Sequence, residues 1–302
     1  MSRGSDPTRP DLYSRVTAQI VDDLQRGVRP WVKPWSAEHL AGRITRPLRH
    51  NLQPYRGVNI LLLWSQAVAK GYVAPIWMTF RQALELGACV RKGEQGATVV
   101  YANRLTRTEA ADDGAEVERE IPFLKAYTVF NLDQIDGLPA AFQPTEPPRL
   151  DPVQRIAHAD AFFAATGAEI RHGGGDAYYA IGEDRVQLPP FGAFADPESY
   201  YATVAHECTH WTRHPSRLDR DFGRKRWGDP AYAREELVAE LGAAFLCADL
   251  GLELTPREDH SAYLAHWLEV LENDKRFIFS AAAHAQRACD YLHSLQASQA
   301  SA

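Results

Sequence analysis

The chain has 302 residues, of which 45% are hydrophobic, enough for two ordinary domains. None of its apolar runs approaches the roughly 20 residues that a membrane span needs. The four cysteines, Cys89, Cys208, Cys247 and Cys289, form no C-x-x-C, which argues against a disulfide framework and for free thiols in a reducing, cytoplasmic setting. The net charge of −6 conceals a split: residues 1–104 carry 15 Lys+Arg against 7 Asp+Glu, a net +8, whereas residues 105–302 carry 18 against 32, a net −14. A basic module is joined to an acidic one.

Residues 1–10 are polar and Pro-containing, without the apolar core of a signal peptide, and read as a tail. From Asp11 to Arg26, Tyr13, Val16, Ile20 and Leu24 recur at helical spacing. Residues 29–59 are rich in Pro, Trp and Arg. A helix is expected from about Ile60 to Lys70, and another begins at Thr79, which can cap Phe80-Arg81-Gln82. Val90 to Gly96 is a turn leading into a strand, Ala97 to Tyr101. Residues 106–120 are acidic and read as an exposed loop before the returning strand Phe123 to Phe130. The Pro-rich stretch 139–152 is the best boundary, giving domains at 11–138 and 153–296 and a second tail at 297–302. Asp176 to Leu188 reads as a hairpin. Asp196-Pro197 starts a helix that runs unbroken through Trp211 before Pro215, and a further helix spans Tyr232 to Leu250.

In the basic module, aromatic rings alternate with cations. Rings can stack unpaired bases while cations follow phosphates, a combination that suits single strands better than duplex. The candidate contacts are Trp31, Lys33, Trp35, Arg46, Arg49, Tyr55, Arg56, Arg81, Arg91 and Lys92, with Trp31, Trp35, Tyr55 and Arg56 foremost. Trp64, inside an apolar helical run, is assigned to the core. A plainer alternative stays open, because tryptophans are core residues more often than stacking platforms.

In the acidic module the decisive stretch is His206-Glu207-Cys208-Thr209-His210. Histidines at i and i+4 share a helix face and can reach one metal ion, while Glu207 is placed to take a proton from water. A third protein ligand is needed. Glu236 and Glu240 share a face of the next helix beside an apolar stripe. Glu236 is assigned as ligand and Glu240 as an acceptor orienting a ligand histidine, with the reverse assignment open. Tyr232, Tyr200 and His214 are candidate donors to a developing oxyanion, Tyr232 foremost. The hairpin could seat an extended peptide along its edge. Two histidines and a carboxylate suit Zn2+ best, with Mn2+ or another divalent ion possible.

These motifs, in order, resemble a known family. Pro30-Trp31-Val32-Lys33-Pro34-Trp35, Pro54-Tyr55-Arg56-Gly57-Val58-Asn59, Trp77-Met78-Thr79-Phe80-Arg81-Gln82, Val90-Arg91-Lys92-Gly93 and Val129-Phe130-Asn131 are similar to the N-terminal module of plasmid-borne ArdC-type antirestriction proteins, shared with TraC-type conjugative primases. Tyr200-Tyr201-Ala202-Thr203, the H-E-x-x-H continuing as Trp211-Thr212, Arg217-Leu218-Asp219-Arg220 and Glu235-Glu236-Leu237-Val238-Ala239-Glu240 match the second half. The E-x-x-x-E helix is also similar to that of zincin peptidases whose first Glu binds zinc, which favours Glu236. The resemblance implies an α+β chain with two domains, an N-terminal α+β single-stranded-DNA-binding domain and a C-terminal zincin-like metallopeptidase domain. It further implies protection of incoming conjugative DNA from host restriction. The expected partners are single-stranded DNA and an unidentified protein substrate, with no membrane. Two alternatives remain: a DNA-coating protein with a structural or silent metal site, and an intracellular zinc peptidase that binds no DNA.

Overall fold

The computed structural model describes residues 11–31, 45–110, 116–142, 152–223, 230–252 and 260–296. The N-terminal half contains α1 (Leu12–Gln25), β1 (Leu48–Arg49), α2 (Val58–Lys70), β2 (Ile76–Met78), α3 (Phe80–Glu85), β3 (Cys89–Val90), β4 (Ala97–Ala110), β5 (Glu116–Asn131) and β6 (Ile135–Asp136). Local chemistry explains the helix ends. The Asp11 carboxylate accepts from the Ser14 amide at 2.8 Å to start α1. Gly71, in the left-handed region at φ 68°, ends α2. Thr79 and Gln82 form a reciprocal capping box on α3.

The main sheet has the order β1-β2-β5-β4, with β1 and β2 parallel and the remaining pairs antiparallel; β3 and β6 form a separate pair. β4 is an edge strand, and Asn59 of α2 covers it at one point. Its Nδ2 donates to the Val100 carbonyl at 2.8 Å, and its Oδ1 accepts from the Val100 amide at 2.7 Å. The expectation of an acidic loop over 106–120 is corrected. The ladder runs on from Ala97↔Val129 to Ala110↔Glu116, leaving residues 111–115 outside the description. A solvated two-stranded ribbon satisfies its backbone across the pair and needs no apolar residues, so polar composition did not signal the missing loop.

The C-terminal half contains α4 (Pro152–Ala165), β7 (Glu169–His172), β8 (Tyr178–Ala180), β9 (Arg185–Leu188), α5 (Pro197–Trp211), α6 (Pro230–Leu250), α7 (His260–Asn273) and α8 (Phe277–Ser294). The small sheet has the order β7-β9-β8, with β7 parallel and β8 antiparallel to β9. The β8–β9 hairpin is pinned to the turn after α5: Arg217 pairs with Asp184, through Nη1 at 3.0 Å, and donates to the Tyr179 hydroxyl at 3.1 Å.

The fold is α+β, and one apolar cluster runs through both halves. It joins Ile20, Leu24, Leu61, Leu63 and Trp64 to Leu237, Leu241, Phe245 and Ile278. Trp64 meets Phe245 edge-on at 5.8 Å. Polar contacts also cross the boundary. The Thr17 hydroxyl donates to the Lys275 carbonyl at 2.6 Å. Arg46 donates to Gln286 Oε1 at 2.9 Å and Asp249 Oδ2 at 2.8 Å, and Arg56 pairs with Asp290. Among the described residues, no helix is long and apolar enough to cross a membrane.

Candidate metal centre

α5 owes its position to a strong start and a buried body. Asp196 accepts from the Ser199 amide at 2.6 Å, Pro197 occupies the first turn, and every residue from Tyr200 to Trp211 is buried. α6 lies against it at close range because residue 242 is glycine. A Cβ there would stand 2.5 Å from Thr209 Cγ2, so any side chain would push the helices apart. Gly242 is a residue the sequence reading missed. Its signal was a glycine in an otherwise strongly helical run.

This approach brings His206, His210 and Glu236 together, with one ligand atom from each lying within 4.8 Å of the others. Glu236 sits between the rings, with Oε2 3.5 Å from His206 Nε2 and Oε1 3.3 Å from His210 Nε2. Two imidazoles and a carboxylate converging from two helices make a donor set suited to a divalent ion. Burial alone would raise the Glu236 pKa, but the adjacent histidines outweigh it and hold the carboxyl well below its ordinary value. Burial would lower the His210 pKa, but Glu236 and Glu235 push it up to about 10.

Glu235 is the second residue missed. Its Oε1 lies 3.1 Å from His210 Nδ1. Arg220 grips it from behind, with Nε to Oε2 at 2.9 Å and Nη2 to Oε1 at 2.7 Å, while also donating to the Thr209 carbonyl at 2.9 Å. Burial opposes ionisation of Glu235, yet Arg220 and His210 bring its pKa down to about 2. A carboxylate–histidine pair fixes the ring's tautomer and direction. The signal was present in the Glu235-Glu236 doublet and in Arg220, within a motif quoted for the family resemblance.

Glu240, expected to orient a ligand histidine, places Oε2 3.9 Å from His206 Nδ1, a charge contact longer than a hydrogen bond. Its other oxygen accepts from Trp31 Nε1 at 3.2 Å. Glu207 is only 2% exposed. Tyr232 is half-buried in the first turns of α6, one turn before Glu236. The Tyr200 hydroxyl meets His172 Nε2 at 2.9 Å, and His214 Nδ1 meets Ser216 Oγ at 2.7 Å. The Cys208 thiol is buried, which pushes its pKa up and keeps it protonated.

The proposed nucleic-acid contacts fare differently. Trp31 is 1% exposed, edge-on to Trp267 at 6.4 Å, and faces the metal centre rather than solvent. Tyr55 is buried beneath the Arg49 guanidinium at 5.4 Å, and Arg46 is buried in its inter-half ion pair. Burial leaves these three little surface to offer a nucleic acid: Trp31 is committed to Trp267 and Glu240, and Arg46 to Asp249 and Gln286 across the boundary between halves. Arg56 reaches Asp290 from a largely exposed position. Arg81 pairs with Glu85 at 2.8 Å, and Arg91 with Glu94 at 2.9 Å and Asp136 at 3.4 Å. Arg49 and Lys92 are exposed. Lys33 and Trp35 lie outside the described residues.

The profile of the zincin-like metallopeptidase family matches residues 157–284, and that of the N-terminal domain of the anti-restriction factor ArdC matches residues 10–130. A metal-free crystal structure of the antirestriction ArdC protein from the R388 plasmid superposes with a TM-score of 0.78 at 45% identity, covering 95% of this chain and 98% of that one. The chain belongs to the ArdC antirestriction family. The Mn(II)-bound crystal structure of the R388 ArdC protein gives a TM-score of 0.77 at 45% identity, over 96% and 100% of the two chains. Similarity extends to the uncharacterised protein y4eC of Sinorhizobium fredii (strain NBRC 101917 / NGR234), 43% identical over 98% of this chain and 96% of that protein. It extends also to the DNA primase TraC of Escherichia coli, 36% identical over 95% of this chain but only 27% of the primase. In this ArdC-family chain the two profiles fall on the two halves that share the core.

Proposed function

We propose that this chain is a single-stranded-DNA-binding antirestriction protein whose C-terminal half is a metal-dependent peptidase, acting in the cytoplasm on a protein engaged with incoming DNA. The observation that carries the reading is the convergence of His206, His210 and Glu236 within 4.8 Å, backed by Glu235 and Arg220. These three residues would hold a divalent ion. Zn2+ fits the donor set, and Mn2+ is the ion in the R388 relative. Such an ion supplies Lewis-acid polarisation of a carbonyl and eases deprotonation of water.

The remaining work falls to the chain itself. Glu207 takes the proton from the attacking water and returns it to the leaving amine. Tyr232 donates to the oxyanion. Glu235 holds His210 in place, and Glu240 sets a negative charge beside His206. An extended peptide adds to the outer edge of β8, which ends its sheet beside α5.

Replacing Glu207 with Ala tests this. The variant is expected to keep metal and oligonucleotide binding but to lose protection of transferred DNA. If it protects fully, hydrolysis is not required and the metal is structural. The near-complete burial of Glu207 and both histidines favours that second reading, because a catalytic site must admit substrate.

A further inference from the structure

With Trp31 and Tyr55 buried, the rings available for stacking in the N-terminal half must be sought elsewhere. Tyr101 and Tyr127 are each 46% exposed, and both belong to the β4–β5 ribbon. The ladder pairs Val99 with Tyr127, Tyr101 with Lys125 and Asn103 with Phe123. Residues directly opposite in an antiparallel pair share a face, so three rings and one ammonium stand together. The Tyr101 ring is 6.2 Å from Phe123 and 6.4 Å from Tyr127, and Lys125 Nζ lies 5.2 Å from the Phe123 centroid. Asn103 Nδ2 donates to the Tyr101 hydroxyl at 2.7 Å and steadies that ring.

We propose that the Tyr101–Phe123–Tyr127 face of the ribbon, with Lys125, is the surface on which the bases of single-stranded DNA stack. This rests on the single-strand reading above and gives it a location. Two exposed tyrosine rings, backed by the half-buried Phe123 and set beside a cation, offer each unpaired base a π-face and its phosphate a counter-charge, whereas duplex bases are already stacked. Three rings are too small a patch for a stable protein interface, which needs about 800 Å² per partner.

The test is fluorescence anisotropy of labelled oligothymidylate titrated with the full chain, with duplex as control. The Tyr101→Ala/Tyr127→Ala variant should lose affinity on the order of thirty-fold, two stacked bases' worth. Tyr101→Phe/Tyr127→Phe should bind as the parent does, which separates lost stacking from misfolding. Lys125→Gln should shallow the salt dependence by about one counter-ion. Parental affinity in the alanine variant overturns the location while leaving single-strand binding intact. Loss of affinity together with loss of a sedimenting dimer assigns the face to a second copy and also overturns it. If the parent chain itself does not prefer oligothymidylate over duplex, the single-strand reading fails and this site falls with it.

Discussion

Two clusters of charged side chains among the described residues are compensated differently. Between α5 and α6, Glu235, Glu236 and Glu240 converge on two histidines, so that among the described residues acids outnumber bases there and Arg220 supplies the permanent positive charge. At the boundary between the halves, each cation already has its acid: Arg46 with Asp249, Arg56 with Asp290. The first arrangement has room for an added cation. The second is complete. Surplus acid around paired imidazoles is therefore the mark of a site, whereas matched charge is the mark of an interface, even where composition looked more suggestive in the second.

The sharpest way to break this contrast is to remove the carboxylate between the rings. Glu236→Ala should abolish stoichiometric metal uptake, whereas Glu240→Ala should weaken it by roughly 10–100-fold, as a change behind a ligand does. Elemental analysis after dialysis, followed by titration, orders the two; the opposite order exchanges their roles.

At the boundary, Arg46→Ala leaves Asp249 and Gln286 without their donor and removes a guanidinium stacked 4.9 Å from the Phe245 centroid. Breaking a buried pair costs about 3 kcal/mol at the low end, appropriate because Asp249 keeps some solvent and a second partner in His293 at 3.1 Å. Urea unfolding measures it. A loss under about 1 kcal/mol would place this pair with ordinary surface bridges and dissolve the distinction between a complete interface and a site.

Protons sharpen the same comparison. Without metal, His210 titrates at about 10, so at neutral pH it carries a proton that a metal must displace. Its pKa is raised on folding, so its contribution to metal-free stability is full below the ordinary value near 6.5 and is lost as pH rises through about 10. Metal uptake should therefore release about one proton, and affinity should climb about tenfold per pH unit until His210 has titrated. Calorimetry in buffers of different ionisation heat reads this directly; equal heats in all buffers would mean that His210 is neutral beforehand.

How far the sequence foretold these regions follows from the same physics. Spacing on a helix constrains geometry, so His206, His210 and Glu236 could be named as a cluster before any coordinates. Caps at Thr79 and Asp196 are local hydrogen bonds and were legible for that reason. Glu235 was not, because its partner Arg220 lies in an irregular segment whose path no periodicity fixes. The burial of Trp31 and Arg46 was not legible because it depends on how the two halves meet, and residue type does not encode that. The length of the β4–β5 ribbon was hidden by polar composition, which reports solvation rather than backbone pairing.

The smallest expected effect probes a place where the two regions touch. Trp31 belongs to the N-terminal half, yet its Nε1–H donates to Glu240 at 3.2 Å, and the other Glu240 oxygen faces His206 Nδ1 at 3.9 Å. Trp31→Phe keeps an aromatic ring against Trp267 and removes only the donor. Glu240 then loses one restraint but remains held by its helix, so metal affinity should fall by about fivefold, the worth of one hydrogen bond of roughly 1 kcal/mol. Competition with a chelating dye measures it. If DNA binding shifts Trp31, metal and DNA must alter each other's affinity by the same factor, since coupling between two binding sites is reciprocal. Unchanged metal affinity in Trp31→Phe would make the contact packing alone and leave the two halves energetically separate at the site, despite their common core.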